Sequence, residues 1–318
     1  MISGKTGGLF EGVFHTILIA FIALVAVFFP SLYYLSAILI PLPVCLLVLR
    51  LDARYSIIGI VLIWFVMLVT GQELMLLIMI LQYGFLGMIL GLLIKNRVSS
   101  GKSLVVIISV SAILALTSVA VLYALTGENP FVLSQGSRQF LEQMATINQQ
   151  AFDGLMSEEQ TSFIKVLVGF FEMLLPGQLI VSEAISGIVI YFLVRVLLEY
   201  LLKYELPKLP AFSEIYLPWY SIWGLIIGLV LILLGDQATL PFAAWAGKNI
   251  LFVLFNAYLF LGLSVVVYYY RKINWGMLLK LIFVFLVFSY LPFSITVLLL
   301  LGATDPLINF RRLPALKE

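Results

Sequence analysis

Apolar runs of about 20 residues, parted by short polar stretches, recur along nearly the whole chain. Each is long enough to cross the hydrocarbon core of a bilayer as a helix. The pattern predicts spans over residues 11–29, 31–49, 55–71, 74–94, 104–126, 177–202, 219–235, 249–270 and 275–301. The first run follows Lys5, as a secretory signal would, but it extends from Val13 to Phe29 and ends at Pro30 without a small-residue cleavage site. It reads as a retained helix. The predicted fold class is all-α: a polytopic transmembrane helix bundle of eight or nine spans, with amphipathic helices in one long outer connector.

Charge in the connectors gives the expected orientation. Arg50 and Arg54 follow the second span, Lys95, Arg97 and Lys102 the fourth, Lys203 and Lys208 the sixth, and Arg271 and Lys272 the eighth. Alternate connectors hold Glu73, Asp236 with Lys248, and a stretch from Gly127 to Thr161 carrying Glu128, Glu142, Asp153, Glu158 and Glu159 against Arg138 alone. Because basic connectors stay in the cytoplasm, the N-terminus is expected there too. Two readings fit the last apolar run. A ninth crossing puts Arg311, Arg312 and Lys317 outside, against the rule, whereas a bend at Pro292 makes a re-entrant hairpin and keeps the tail cytoplasmic.

The outer stretch has its own pattern. Phe140, Met144, Ile147, Ala151 and Leu155 recur at helical spacing among Gln and Glu, which describes an amphipathic helix at the membrane surface. Ser157 with Gln160 forms a capping box for a second helix, which Pro176 ends. The expected division is a six-span domain over 1–205, with this insertion at 127–176, and a C-terminal membrane segment of two or three spans over 206–318.

Composition agrees with a lipid-embedded chain and excludes several functions. Hydrophobic residues make up 63% and charged residues 11%, where a soluble domain carries about 25% charge. Net charge is +2 with bases scattered singly or in pairs, so no basic face exists to follow a phosphate backbone and nucleic acid is not an expected partner. Cys45 is the one cysteine and His15 the one histidine, which leaves no disulfide and no His-based metal cluster. No metal or cofactor is expected. Gly101-Lys102-Ser103 matches the end of a phosphate loop, but Asn96 stands where the motif needs glycine and a membrane helix precedes it. No Gly-x-Ser-x-Gly or His-Glu-x-x-His occurs, and all four Asp residues fall in connectors, so catalysis is not expected.

Small residues at i, i+3 or i+4 spacing, namely Gly84, Gly87 and Gly91 and then Gly224 and Gly228, read as close helix packing in lipid. Intramembrane polar residues carry the functional information, because a charge at mid-bilayer costs at least ~2.5 kcal/mol. In the sixth span Glu183, Gly187, Tyr191, Arg195 and Glu199 follow at i, i+4 and form one inward stripe. Arg195 and Glu199 read as an ion pair near the cytoplasmic interface. Glu183 has no basic neighbour in sequence and lies near the helix N-terminus after Pro176, where free amides are expected. The candidate substrate-binding set is Glu183 and Gln178, with Asn256 and Gln82 contributing from neighbouring helices. The common use of such uncharged residues in mid-span favours hydrogen-bonding links between helices over ligand contact for Asn256 and Gln82.

Several of these stretches resemble the YybS-like family of bacterial membrane proteins: Glu11-Gly12, Pro41-Leu42-Pro43, the glycine-bearing fourth span, Pro176-Gly177-Gln178, Asn256 with Gly262-Leu263-Ser264, and Asp305 with Phe310-Arg311-Arg312. More remotely, the first six spans are similar in order and connector pattern to the substrate-binding components of energy-coupling-factor transporters. That likeness implies a cytoplasmic N-terminus and ATPase and coupling subunits supplied in trans. The chain departs from it after residue 205 and in the outer insertion. The leading expectation is a bacterial inner-membrane component that binds or transports a small or amphiphilic molecule without its own ATPase. The alternative is a membrane scaffold for cell-envelope or division proteins.

Overall fold

The structure, a computed structural model, describes residues 4–69, 71, 74–127, 129, 131, 166, 169–237 and 240–313, with residues 4–9 by their backbone alone. The stripe from Phe140 to Leu155 and the capping box at Ser157 lie outside the described residues. Among the described residues every regular element is a helix. We number them α1 (Gly4–Phe28), α2 (Tyr33–Leu39), α3 (Pro41–Arg50), α4 (Ala53–Val69), α5 (Leu74–Lys95) and α6 (Ser100–Thr126). Then come α7 (Leu175–Val196), α8 (Ile222–Gln237), α9 (Pro241–Lys272), α10 (Met277–Ser289) and α11 (Leu291–Ile308).

Eight of the described helical segments are long and apolar enough to cross a membrane, by length and composition. The second span runs from Pro30 to Arg50, and its helical hydrogen-bond ladder is interrupted at Ile40, because Pro41 and Pro43 bring no N–H to it. Span three has the expected length but begins two residues earlier: Ala53–Val69 has 17 residues, about 25 Å of helix. The final run divides at Tyr290, with Pro292 in the first turn of α11, as the bend at Pro292 anticipates. Helix α9 starts earlier than expected. Pro241 opens it, so Lys248, expected in the connector, and Asn249, expected at the start of the span, lie well inside the helix.

Contacts divide the described residues into two compact units, one formed by Met1–Pro130 with Leu179–Leu209 and the other by Phe131–Gln178 with Pro210–Glu318. In unit 1, α5 is buried against α3 and α4, with Ile60, Met79, Ile80, Leu86 and Leu90 almost fully enclosed. The expected glycine stripe explains the closeness. A Cβ on Gly87 would lie 2.5 Å from the Pro41 carbonyl oxygen, and one on Gly91 would lie 2.7 Å from Val48 Cβ. In lipid no hydrophobic drive pulls one apolar helix onto another, so dispersion across such short gaps must hold them.

Unit 2 uses the same device between α9 and α11, where Gly262 meets the Leu298 backbone and Gly302 meets that of Tyr258. Beyond α11 the chain turns at Asn309, which adopts φ 48°, and delivers Arg311 into the protein. Its guanidinium donates at 2.7 Å to the Ser213 and Ile215 carbonyls, to Ser264 Oγ and to the Asp305 carboxylate. The Tyr269 hydroxyl donates to the Phe310 carbonyl at 2.9 Å. The end of α11 thus lies with the end of α9 that carries Arg271 and Lys272. Within unit 2 this is the arrangement a re-entrant final run requires, with Arg311 beside the basic connector end.

The Asp305 and Arg311 side chains are 4% and 0% exposed. Removing one partner strands a buried charge, so Arg311→Met is expected to cost about 3–5 kcal/mol. Adding Asp305→Leu to that variant should recover part of the loss. Thermal unfolding of the purified single and double variants measures both, and an unchanged midpoint in Arg311→Met contradicts the assignment.

Candidate functional site

Helix α7 carries the polar stripe, and the structure turns it inward. Gly187, Tyr191 and Arg195 are buried, while Glu183 and Glu199 are partly so. Gly187 is small where α6 presses closest: a Cβ there would lie 2.8 Å from Ser111 Oγ. That approach lets the Ser111 hydroxyl reach the Glu183 carbonyl at 2.9 Å, across the two helices. The two ends of the stripe have different surroundings.

At the lower end Arg195 is 8% exposed and forms an ion pair with Glu199 at 2.5 Å. It also donates to Ser100 Oγ at 2.9 Å, and Ser100 in turn donates to the Pro207 carbonyl at 2.6 Å. Glu199 sits in a π-helical turn, Leu197–Leu201, that continues α7. A cavity of about 10 Å³ adjoins Arg195, Tyr191, Ser100 and Ser103, with space for about one water. Every charge here has a partner, as the ion-pair expectation for Arg195 and Glu199 requires.

Two exposed ion pairs bind the same end of unit 1, Arg50 to Glu11 at 2.8 Å and Lys95 to Asp52 at 3.3 Å. The Asp52 carboxylate is held below its usual range, first by the Ala53 backbone N–H and then by Lys95. A lowered carboxylate favours the folded state above its unfolded pKa, and that contribution disappears as pH falls through the folded value. Its exposure keeps the contribution small. His15, expected at the interface, is buried with Nδ1 2.8 Å from the Glu11 carbonyl of its own helix.

At the upper end Glu183 joins polar groups from α5 and α6. The Tyr83 hydroxyl, itself buried, donates to the two carboxylate oxygens at 3.1 and 3.3 Å. The Gln82 side-chain amide lies beside the same carboxyl group. Gln82 Oε1 accepts from Ser118 Oγ at 2.9 Å, which leaves its NH₂ to face Glu183. Tyr33 is close enough to interact electrostatically with Glu183. Among the described residues no Lys or Arg forms an ion pair with Glu183. The arrangement sets neutral donors around one carboxyl group that has no basic partner among the described residues.

Of the four residues expected to bind substrate, Glu183 and Gln82 are brought together in unit 1. Gln178 and Asn256 belong to unit 2. Gln178 Nε2 faces the Phe171 carbonyl at 3.4 Å, and Asn256 Nδ2 bonds the Phe252 carbonyl one turn back at 2.8 Å. The expectation of an interhelical bond from Asn256 is corrected by this geometry, since its amide donor is satisfied within α9. Asn249 makes that link instead. Its Oδ1 accepts from the Gly177 N–H at 2.8 Å, and its Nδ2 donates to the Met173 carbonyl at 3.0 Å and to the Trp245 carbonyl at 2.9 Å. The free amide expected after Pro176 is therefore taken at Gly177, and the Gln178 N–H is bonded to the Leu174 carbonyl.

Sequence reasoning also missed Tyr83, Ser111 and Ser118. Ser111 and Ser118 are seven residues apart, hence on one face of α6. That spacing was the available clue. The P-loop-like Gly101-Lys102-Ser103 lies in the first turn of α6, and among the described residues no three of His, Cys, Asp and Glu cluster as metal ligands.

Helices of this length and apolarity, cross-linked by buried polar contacts, define a polytopic integral membrane protein. Residues 17–306 match the family described as "Predicted membrane protein (DUF2232)", and the chain belongs to that family. No curated protein and no solved structure matches it.

The two asparagines of α9 give a paired test. Asn249→Leu leaves a buried N–H and a carbonyl without partners and is expected to cost about 1–3 kcal/mol. Asn256→Leu removes only a bond within one helix and should change the unfolding midpoint far less. Equal effects in thermal unfolding would contradict the linking role of Asn249.

Proposed function

We propose that this integral membrane protein is a small-molecule-binding component of a bacterial inner-membrane transport system, with Glu183 at its binding site. One observation carries the reading: a carboxylate placed among transmembrane helices, held by Tyr83 and Gln82, with no basic partner among the described residues. An intramembrane charge is costly, and a fold that keeps one unpaired retains it for something that binds. The protein performs no chemistry on its ligand in this reading. Energy for uptake comes from ATPase and coupling subunits in trans, in keeping with the resemblance of the first six spans to transporter substrate-binding components.

The test is retention of a ligand. Native mass spectrometry of gently purified wild type should show a small molecule that Glu183→Gln loses, while its unfolding midpoint stays near wild type. A Glu183→Leu variant that is stable and retains the same molecule would overturn the reading.

The basic connector ends, and the placement of Arg311 beside Arg271 and Lys272 in unit 2, favour a cytoplasmic N-terminus and a cytoplasmic Arg312. In a Cys45→Ala background, Ser99→Cys and Arg312→Cys are expected to label from the cytoplasmic side and Asp236→Cys from the outside. Labelling of Arg312→Cys together with Asp236→Cys would reverse this topology for the tail.

A further inference from the structure

The chemistry around Glu183 narrows what it can bind. The inference rests on the binding reading above. Among the described residues an anion meets no cation there, because Arg195, twelve residues along the same helix, is committed to Glu199 and Ser100. Calcium takes six to eight oxygen ligands and structural zinc four protein ligands, and among the described residues no group of three or more His, Cys, Asp or Glu side chains could hold a metal ion. A neutral ligand would leave the carboxylate without a countercharge inside the helices.

Tyrosines stand on one side of the carboxyl group. The Tyr83 hydroxyl touches both carboxylate oxygens, Tyr33 is within electrostatic range of them, and Tyr34 packs edge to face on Tyr33 with ring centroids 5.6 Å apart. Tyr33 also reaches the Met75 carbonyl at 3.5 Å, near the start of α5. A carboxylate flanked by tyrosines offers one full charge and electron-rich ring faces, the combination that recognises an ammonium centre with its attached carbons. Gln82, fixed by Ser118, adds a polar contact beside the carboxylate.

We propose that Glu183, with Tyr83, Tyr33 and Gln82, binds an ammonium group, carried by a soluble amine or by a lipid headgroup. The ammonium pairs with the carboxylate, which has no basic partner among the described residues, and its carbon substituents lie against the tyrosine rings.

The experiment uses the full chain in detergent without added lipid, with tetramethylammonium and ethanolamine as cationic probes, tert-butanol as a neutral match and pivalate as an anionic one. The cations should raise the unfolding midpoint saturably, and tert-butanol and pivalate should not. Glu183→Gln should abolish the shift. Tyr83→Phe, which keeps the ring, and Tyr33→Leu, which removes one, should each weaken cation affinity roughly fivefold. If Glu183→Gln fails to fold, those two tyrosine variants decide the matter, and cation affinity unchanged in both overturns the proposal.

Nanodiscs separate the sources. A headgroup ligand makes phosphatidylethanolamine discs more stabilising than phosphatidylglycerol discs and leaves little further shift for tetramethylammonium in the former. A soluble amine gives the same cation shift in both. An equal shift from pivalate or tert-butanol, or a cation shift that survives Glu183→Gln, overturns the proposal. A neutral or anionic molecule co-purifying with wild type and lost in Glu183→Gln overturns the ammonium assignment while the binding reading stands. If no probe and no co-purified molecule distinguishes wild type from Glu183→Gln, both fall.

Discussion

Inside a bilayer no water competes for polar groups, so each must find its partner on the protein, and both units are organised by that requirement. Where a helix begins, Asn249 supplies an acceptor to the Gly177 N–H. Where a connector exposes carbonyls, Arg311 gathers those of Ser213 and Ile215, while Ser264 donates to that of Phe212. The solution is not complete. Asp305 Oδ1 and Arg311 Nε are enclosed without partners, so the most heavily bonded cluster of unit 2 also holds two unsatisfied atoms.

Packing and polar bonding depend on each other. Hydrogen bonds between helices need backbones closer than ordinary side chains allow, and glycine supplies the distance. Gly187 lets Ser111 reach the Glu183 carbonyl, and Gly302 with Gly262 draws α11 onto α9, near the ends where Asp305 and Ser264 meet Arg311. In a soluble protein such contacts add to a core already driven together by water. Here dispersion and polar contacts carry the association themselves.

Much of the architecture was legible because lipid imposes a simple rule, a run of apolar residues about as long as the bilayer is thick. The spans, the break near Pro292 and the inward stripe of α7 follow from run length, proline chemistry and helical period. The contacts between helices do not. Helices α5 and α6 are apolar nearly all round, so periodicity cannot say which face Tyr83 or Ser118 presents, and the partners of Glu183 emerge only once the helices are packed. Asn249 and Asn256 illustrate the same limit. They lie seven residues apart in one helix, yet one reaches the start of α7 and the other its own preceding turn. Asp305 and Arg311 were visible as charges, but reading them as one buried pair needs the turn at Asn309.

That turn bears on how the protein is made. The acceptors for Arg311 lie in the connector around Ser213 and in the middle of α9, segments that leave the ribosome well before residue 311 does. Until then the Ser213 and Ile215 carbonyls lack their guanidinium, and α9 stands without the helix that covers Gly262. Unit 2 is therefore assembled in order, its helices inserted first and fastened last. A chain interrupted between Ile308 and Arg311 would carry every described helix and none of the clamp that joins α11 to the connector. Translation itself sets the moment at which this half of the molecule becomes stable.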